Sequence, residues 1–235
     1  MGAELPGMRI DRPLEGVVRL LLDRPDRRNA LDPPLAKALL AGLMQAGDAV
    51  VVLGSTSPRS FCAGADLSIS DAERAAVSDL LYELYERMLA HPAPIVAALD
   101  GHVIGGGAQL AIASDLRVGG PGVRIRFAGP GHGLAVGAWG LPSLVGRSRA
   151  LDLCLTMRSV EAEEALRIGL IDRIDSDPAA AALALARAMA DLDRRAVAEI
   201  KRLANEGAGL LRALRQERQA NSGWGGAIAR GGRDG

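Results

Sequence analysis

The sequence predicts an α/β fold of repeated strand-strand-helix units, and three observations carry that expectation. Apolar, β-branched runs of buried-strand length recur, at Ala49-Val50-Val51-Val52-Leu53 and at Ile95-Val96-Ala97-Ala98-Leu99. Each run gives way to turn chemistry and small residues before a helix-compatible stretch. After Asp177-Pro178 the composition shifts to alanine, leucine and arginine, so the remainder reads as helices to about Ala220. No heptad or solenoid period competes with this pattern.

Taken in order, Met8-Arg9-Ile10 and Gly16-Val17-Val18-Arg19-Leu20-Leu21-Leu22 read as two strands of a hairpin turned at Pro13 and Gly16. Asp23-Arg24-Pro25-Asp26-Arg27-Arg28-Asn29 is a basic, turn-rich loop. A helix follows from Pro33 to about Gln45, with proline in its first turn. The run at 49–53 is a strand, and Gly54-Ser55-Thr56-Ser57-Pro58 turns the chain toward Ser60-Phe61-Cys62-Ala63-Gly64-Ala65-Asp66-Leu67. Residues 71–90 carry apolar side chains at helical spacing, most of them core, and His91 before Pro92 ends that helix. Beyond the strand at 95–99, Ala108–Ala113 is a short helix and Asp115-Leu116-Arg117-Val118 a strand, with Asp115 a structural acceptor. Val123–Phe127 is a further strand. Ser143–Gly146 and Ser148–Thr156 are helical, Ser159–Glu164 opens a helix with a capping signature, and Gly169–Ile174 returns to a strand.

Bulk properties narrow the function. The chain has 235 residues, 49% hydrophobic and 24% charged, with a net charge of zero, so no nucleic-acid surface is expected. Aromatic residues at 3% are too scarce for recognition by base or sugar stacking. The two cysteines, Cys62 and Cys154, form neither a metal spacing nor a disulfide framework. No window satisfies a dinucleotide or nucleotide-triphosphate loop. With no signal-peptide pattern and no apolar run of spanning length, a cytoplasmic protein without a membrane span is expected.

Two loops stand out. Ala63-Gly64-Ala65 follows the first buried strand, and Asp100-Gly101-His102-Val103-Ile104-Gly105-Gly106-Gly107-Ala108-Gln109-Leu110-Ala111 follows the second and leads into a helix. Small residues allow a ligand close to the main chain. Amides at a helix N-terminus lack intrahelical partners and sit at the positive end of the dipole. Two such units are the parts of a two-donor oxyanion hole.

These two loops, with Asp23-Arg24-Pro25-Asp26-Arg27-Arg28-Asn29-Ala30-Leu31 upstream, resemble the crotonase (enoyl-CoA hydratase/isomerase) superfamily from about Gly16 to about Ile174. The resemblance implies a crotonase (ClpP-like) fold, with a spiral core holding the acyl-CoA site over 1–175 and a C-terminal helical oligomerisation segment over 176–222; the glycine-rich composition of 223–235 reads as a disordered tail, where the family usually carries more ordered helix. It implies an acyl-CoA thioester as ligand, in fatty acid metabolism, and a homotrimer or hexamer. Coenzyme A is part of the substrate, and no separate cofactor is implied. The amides of Ala65 and Gly106 correspond to the oxyanion donors. Arg24, Arg27 or Arg28 would meet phosphate, Ala30 would lie beside the adenine or pantetheine portion, and Arg59 matches a cation near the CoA phosphates. Ala63, Asp66 and Leu67 would line the same channel, and the first turns of the 71–90 helix would flank the acyl pocket.

The chain departs from the hydratases at both catalytic glutamates. Gln109 stands three residues after Gly106, and Gly131 follows Pro130 where the second acid belongs. An amide has no proton to exchange at a useful pKa. His132 is the titratable group of that short loop and is a candidate for acid-base work near neutral pH. Gly133-Leu134-Ala135-Val136-Gly137-Ala138-Trp139 resembles a glutamine-bearing, mycobacterial-type subgroup that binds fatty acyl-CoA without hydrating it. Three readings follow: a weak enoyl-CoA hydratase, a non-catalytic acyl-CoA binding protein, or an acyl-CoA decarboxylase using enolate chemistry.

Overall fold

The computed structural model describes residues 5–228. In chain order the elements are β1 (Met8–Leu14), β2 (Val17–Leu22), α1 (Pro33–Ala46), β3 (Val50–Ser55), β4 (Ser60–Cys62), α2 (Asp71–Ala90), β5 (Ile95–Leu99) and β6 (His102–Ile104). They continue through α3 (Gly106–Ala113), β7 (Leu116–Gly119), β8 (Arg124–Arg126), α4 (Leu141–Val145), α5 (Arg147–Thr156), β9 (Val160–Glu161) and α6 (Ala162–Arg167). The remainder is β10 (Arg173–Ile174), α7 (Pro178–Ala190), α8 (Arg194–Gly207) and α9 (Leu210–Ala220).

The strands form two sheets, ordered β1-β2-β3-β5-β7-β10 and β4-β6-β8-β9. Successive strands alternate between them: β3, β5 and β7 enter the larger sheet, while β4, β6 and β8 enter the smaller one. The chain is therefore a spiral in which every turn adds one strand to each sheet. Within the larger sheet only the β1–β2 hairpin is antiparallel, and parallel pairing demands cover on both faces. Side chains alternate along β3 accordingly. Val51 and Leu53 join the main core with Leu35, Leu39, Leu84 and Leu110, whereas Val50 and Val52 join a second cluster with Ala182 and Ala186 of α7. The alanine-rich α7 thus lies against the sheet as a layer of the core, and α9 reaches the main core through Leu214.

Helix starts follow their caps. Asp32 accepts the Leu35 amide at 3.0 Å ahead of α1, and Ser70 and Glu73 form a reciprocal capping box at α2. His91 ends α2 with its ring on the Ala49 carbonyl at 2.9 Å, and Asp115 accepts the Ile95 amide at 2.7 Å and Lys201 Nζ at 2.8 Å.

Four expectations need correction. Ser159 does not cap a helix: Val160 is fully buried and forms β9 with Glu161, pairing antiparallel to β8, and α6 begins at Ala162 without a side-chain cap. Burial of Val160 against the small sheet outweighs the local capping pattern. Ser60–Cys62 is a strand rather than part of the loop, and only Arg173–Ile174 of 169–174 is extended. The glycine-rich end is not loose over the described residues, because Trp224 Nε1 donates to the His132 carbonyl at 2.9 Å and Arg74 Nε to that of Gly226 at 2.8 Å. Residues 229–235 of the expected tail lie outside the described residues. Among the described residues no helix is long and apolar enough to cross a membrane.

Candidate functional site

The spiral brings the two small-residue loops into contact. A Cβ on Gly64 would stand 2.9 Å from the Ile104 carbonyl oxygen and 3.7 Å from the Gly106 nitrogen, and Gly64 itself has φ +87°. A Cβ on Gly107 would meet the Cys62 carbonyl oxygen at 2.5 Å. Glycine at these positions is what lets the turn after β4 nest against the start of α3. Neighbouring amides are taken: Ala63 N bonds the Arg28 carbonyl at 3.0 Å, Asp66 N that of Leu31 at 2.9 Å, and Gly105 N that of Arg126 at 2.9 Å. The amides of Ala65 and Gly106 have no acceptor among the described residues, and both residues are half-exposed. Gly106 is the first residue of α3, so its amide also lies at the positive end of that helix. The two amides thus lie close together where the loops meet.

Asn29 holds the site's outer wall. It is fully buried with φ +54°, its Nδ2 reaches Ser55 Oγ (2.7 Å) and the carbonyls of Ser60 (3.1 Å) and Phe61 (2.9 Å), and its Oδ1 accepts the Arg24 amide at 2.7 Å. This anchors the basic loop to β4, and Leu31 then pairs with Ala65 through its amide on the Gly64 carbonyl at 2.7 Å. Asn29→Ala removes the bonds to the buried Phe61 carbonyl and the Arg24 amide and puts alanine at φ +54°, and a loss of about 2–4 kcal/mol in urea unfolding is expected.

The arginines divide. Arg24 is committed internally, with Nη1 on the Ala30 carbonyl at 2.9 Å and on Asp32 at 2.7 Å, and Nη2 3.8 Å from Asp66. Its guanidinium thus positions the loop, and the Ala30 carbonyl is occupied. Arg27 bonds Asp66 and Ser68 Oγ, each at 3.1 Å, but is 56% exposed. Burial pushes the Asp66 carboxyl up, yet the Ser68 hydroxyl and amide and the Arg27 guanidinium together hold it below the ordinary range. Arg28 and Arg59 are exposed with no side-chain partner among the described residues, and their backbones flank Ser60, whose hydroxyl donates to the Arg28 carbonyl at 3.0 Å. Leu67 is 59% exposed.

Beneath Gly106 the chain builds a closed polar ring. The Trp139 indole Nε1 donates to Gln109 Oε1 at 2.7 Å, and the Trp139 amide donates to Glu217 Oε2 at 3.0 Å. The Tyr82 hydroxyl donates to Glu217 Oε1 at 3.0 Å, accepts from Asn221 Nδ2 at 2.6 Å, and lies against the Gln109 carboxamide. Tyr85 stacks on Trp139 with ring centroids 6.4 Å apart and donates to the Gly106 carbonyl at 3.1 Å, tying the ring to the amide above. Tyr82, Trp139, Gln109 and Glu217 are all buried. Burial raises the Glu217 carboxyl to about 7, against the pull of Tyr82 and of the Trp139, Gly137 and Ala138 amides.

This has a measurable consequence. A carboxyl whose proton is held more tightly in the fold than in the unfolded chain makes the fold less stable as pH rises between the two pKa values. For Glu217, stability declines from about pH 4.5 to about pH 7, by at most about 3 kcal/mol. The melting-temperature difference between Glu217→Gln and wild type should therefore shift in favour of the variant as pH rises across that window. A pH-independent difference counts against it.

His132 sits in a short 3-10 turn, half-buried, with Nδ1 lacking a partner. Burial, and then the nearby Arg126 and Arg74 charges, lower its pKa, so the ring is neutral at pH 7 and offers weak basicity. Cys62 is fully buried and its thiol is pushed up to about 12, which removes it as a nucleophile. His102 lies in β6, paired with Ser60 and Arg124. A groove of about 480 Å³ between α3, α4, α7 and α8, floored by Lys201 and Asp115, contains none of these site residues.

Sequence reasoning missed Tyr82, Trp139, Glu217 and Asn221. One signal was present: Glu217 shares the buried face of α9 with Leu214, three residues earlier, where a carboxylate is out of place without partners.

Comparison with known proteins came from three directions. The sequence pattern of the Enoyl-CoA hydratase/isomerase family matches residues 13–225. The probable enoyl-CoA hydratase echA6 of Mycobacterium bovis is 41% identical over 199 residues, covering 82% of this chain and 80% of that protein. Human enoyl-CoA hydratase domain-containing protein 2, mitochondrial, is 34% identical over 202 residues, covering 80% of this chain and 69% of that one. The crystal structure of an enoyl-CoA hydratase from Bacillus anthracis superposes with a TM-score of 0.79 at 27% identity, over 92% of this chain and 90% of that one.

Proposed function

This chain belongs to the enoyl-CoA hydratase/isomerase family, and on that premise we propose that it binds a fatty acyl-CoA thioester with the thioester oxygen between the amides of Ala65 and Gly106. What supports this reading is one observation: two uncovered amides, from successive turns of the spiral, lie beside each other at a half-exposed surface. Negative charge developing on the oxygen is then stabilised by donors already in place, each worth roughly 10²–10³ in rate. Arg27, Arg28 and Arg59 are the cations available to the CoA phosphates, where a planar guanidinium offers bidentate contacts. Exposed Leu155, Ile200 and Leu203 suit assembly into a trimer or hexamer, and the cytoplasm is the expected compartment.

Hydration should be weak. Adding water to the β-carbon needs a base for the water and an acid for the α-carbon, each worth roughly 10²–10⁴. Gln109 and Gly131 supply neither. The non-catalytic reading, and with it the glutamine-bearing subgroup, is supported by Gln109 and Gly131 standing where the two acids belong. Calorimetry with a trans-2-enoyl-CoA, run beside loss of the enoyl chromophore, is the test. Binding with negligible turnover is expected. Hydration at ordinary enzymatic rates overturns the weak-hydratase reading, absence of binding overturns the site, and release of carbon dioxide from a malonyl-type thioester favours the decarboxylase.

A further inference from the structure

Arg74 is a buried cation beside the site to which the reading above gives no role. It lies in the first turn of α2, and its carboxylate partner, Asp71, is largely exposed. The rest of its guanidinium is spent on main-chain carbonyls from two distant pieces of chain. Nη1 donates to Ile69 and, at 3.4 Å, to Leu67, at the exit of the Ala65 turn. Nε donates at 2.8 Å to Gly226, 152 residues away. These N–H groups lie in one rigid plane, so the carbonyls they hold cannot shift independently.

The two oxyanion donors are not equally secured. The Gly106 amide belongs to a helix whose first carbonyl is held by Tyr85. Ala65 lies in a turn, which Leu31 grips from upstream through the Gly64 carbonyl at 2.7 Å and the Asp66 amide at 2.9 Å. Downstream the chain runs to Asp71 without a strand or helix, and Arg74 holds two carbonyls within that stretch.

Arg74 depends in turn on the glycine-rich end. The Asn221 side chain accepts from the Ala135 amide at 2.9 Å and donates to its carbonyl at 2.7 Å, and Trp224 Nε1 reaches the His132 carbonyl. Gly226 is buried with φ +83°, and an added Cβ would overlap the Asp71 carbonyl, so only glycine brings its carbonyl to Arg74 Nε. Without that acceptor a buried N–H is left unpaired, which is unfavourable, and the guanidinium turns away. We infer that Arg74 is a positioning residue for the Ala65 amide, and that residues 221–226 are a strap that holds it in place. Closure of the strap and capture of the thioester oxygen are then coupled, each favouring the other. This rests on the acyl-CoA reading and adds a determinant outside both loops.

Calorimetry on the full chain with hexanoyl-CoA and S-hexyl-CoA, which lacks the carbonyl oxygen, tests the inference. Wild type should bind the thioester about 5- to 100-fold more tightly, the value of two net hydrogen bonds. In Gly226→Ala that ratio should fall by about 3- to 10-fold, while S-hexyl-CoA affinity changes by less than about threefold. Trp224→Phe, which removes only the bond to the His132 carbonyl, should move the ratio the same way and less far. By reciprocity, saturating hexanoyl-CoA should slow amide hydrogen exchange over 222–228 in wild type more than S-hexyl-CoA does. A ratio unchanged in Gly226→Ala, or equal loss of both ligands, overturns the inference. Equal affinities in wild type instead overturn the placing of the thioester oxygen, and failure to bind either ligand overturns the acyl-CoA reading itself.

Discussion

Gln109→Glu is expected to raise hydration of a trans-2-enoyl-CoA by about 10²–10⁴ over wild type, because it restores one of the two missing proton-transfer groups at unchanged side-chain volume. One carboxylate oxygen takes the place of Oε1 and still receives the Trp139 indole N–H, and the other replaces the nitrogen beside Tyr82. The new group is buried and shares Tyr82 and Trp139 with Glu217, so burial and that carboxyl both raise its pKa. The gain should accordingly grow with pH through the neutral range, since only the ionised form accepts a proton from water. Adding Glu217→Gln removes the competing charge and should move the rising limb to lower pH. A pH-rate profile of chromophore loss for wild type, the single variant and the pair reads all of this. A rate no higher than wild type across the profile would show that position 109 does not face the reacting carbons.

Gly107→Ala is expected to cost about 3 kcal/mol or more, and roughly 6–12 °C in melting temperature. Alanine's helix preference favours the substitution by about 1 kcal/mol, so the sign depends on the contact. The added methyl would stand 2.5 Å from the Cys62 carbonyl oxygen and 2.7 Å from its Cβ. One of these is main chain, and Cys62 is completely buried, so no flexible atom can move aside. Either α3 shifts away from β4, separating Gly106 from Ala65, or the strand itself yields. Thermal melts measure the loss; a variant as stable as wild type with intact acyl-CoA binding would mean that the loops do not need this contact.

Much of the fold could be read from the chain because its signals are local. Val50–Leu53 and Ile95–Leu99 are apolar throughout since both faces of their sheet are covered, and Asp32, Ser70 and Asp177 announce their helices within three residues. The two amide-bearing turns were legible for the same reason: glycine at 64, 105, 106 and 107 is a local statement about close approach. What escaped depends on distant partners. Val160 and Glu161 look like a helix cap until β8 offers an edge to pair with. Arg24 looks like a phosphate ligand until Asp32 and Asp66 enclose it. Glu217 meets the Trp139 amide across 78 residues of chain and Tyr82 across 135, separations at which no spacing rule operates.

The way α9 closes onto α2 and the 133–140 loop makes the site sensitive to where an expression clone stops. Ending the chain ahead of Glu217 would delete the carboxylate that receives the Trp139 amide and the Tyr82 phenol, and would take Asn221 away from the Ala135 carbonyl it reaches at 2.7 Å. Trimming that leaves both sheets intact would thus release the tryptophan and the tyrosine together.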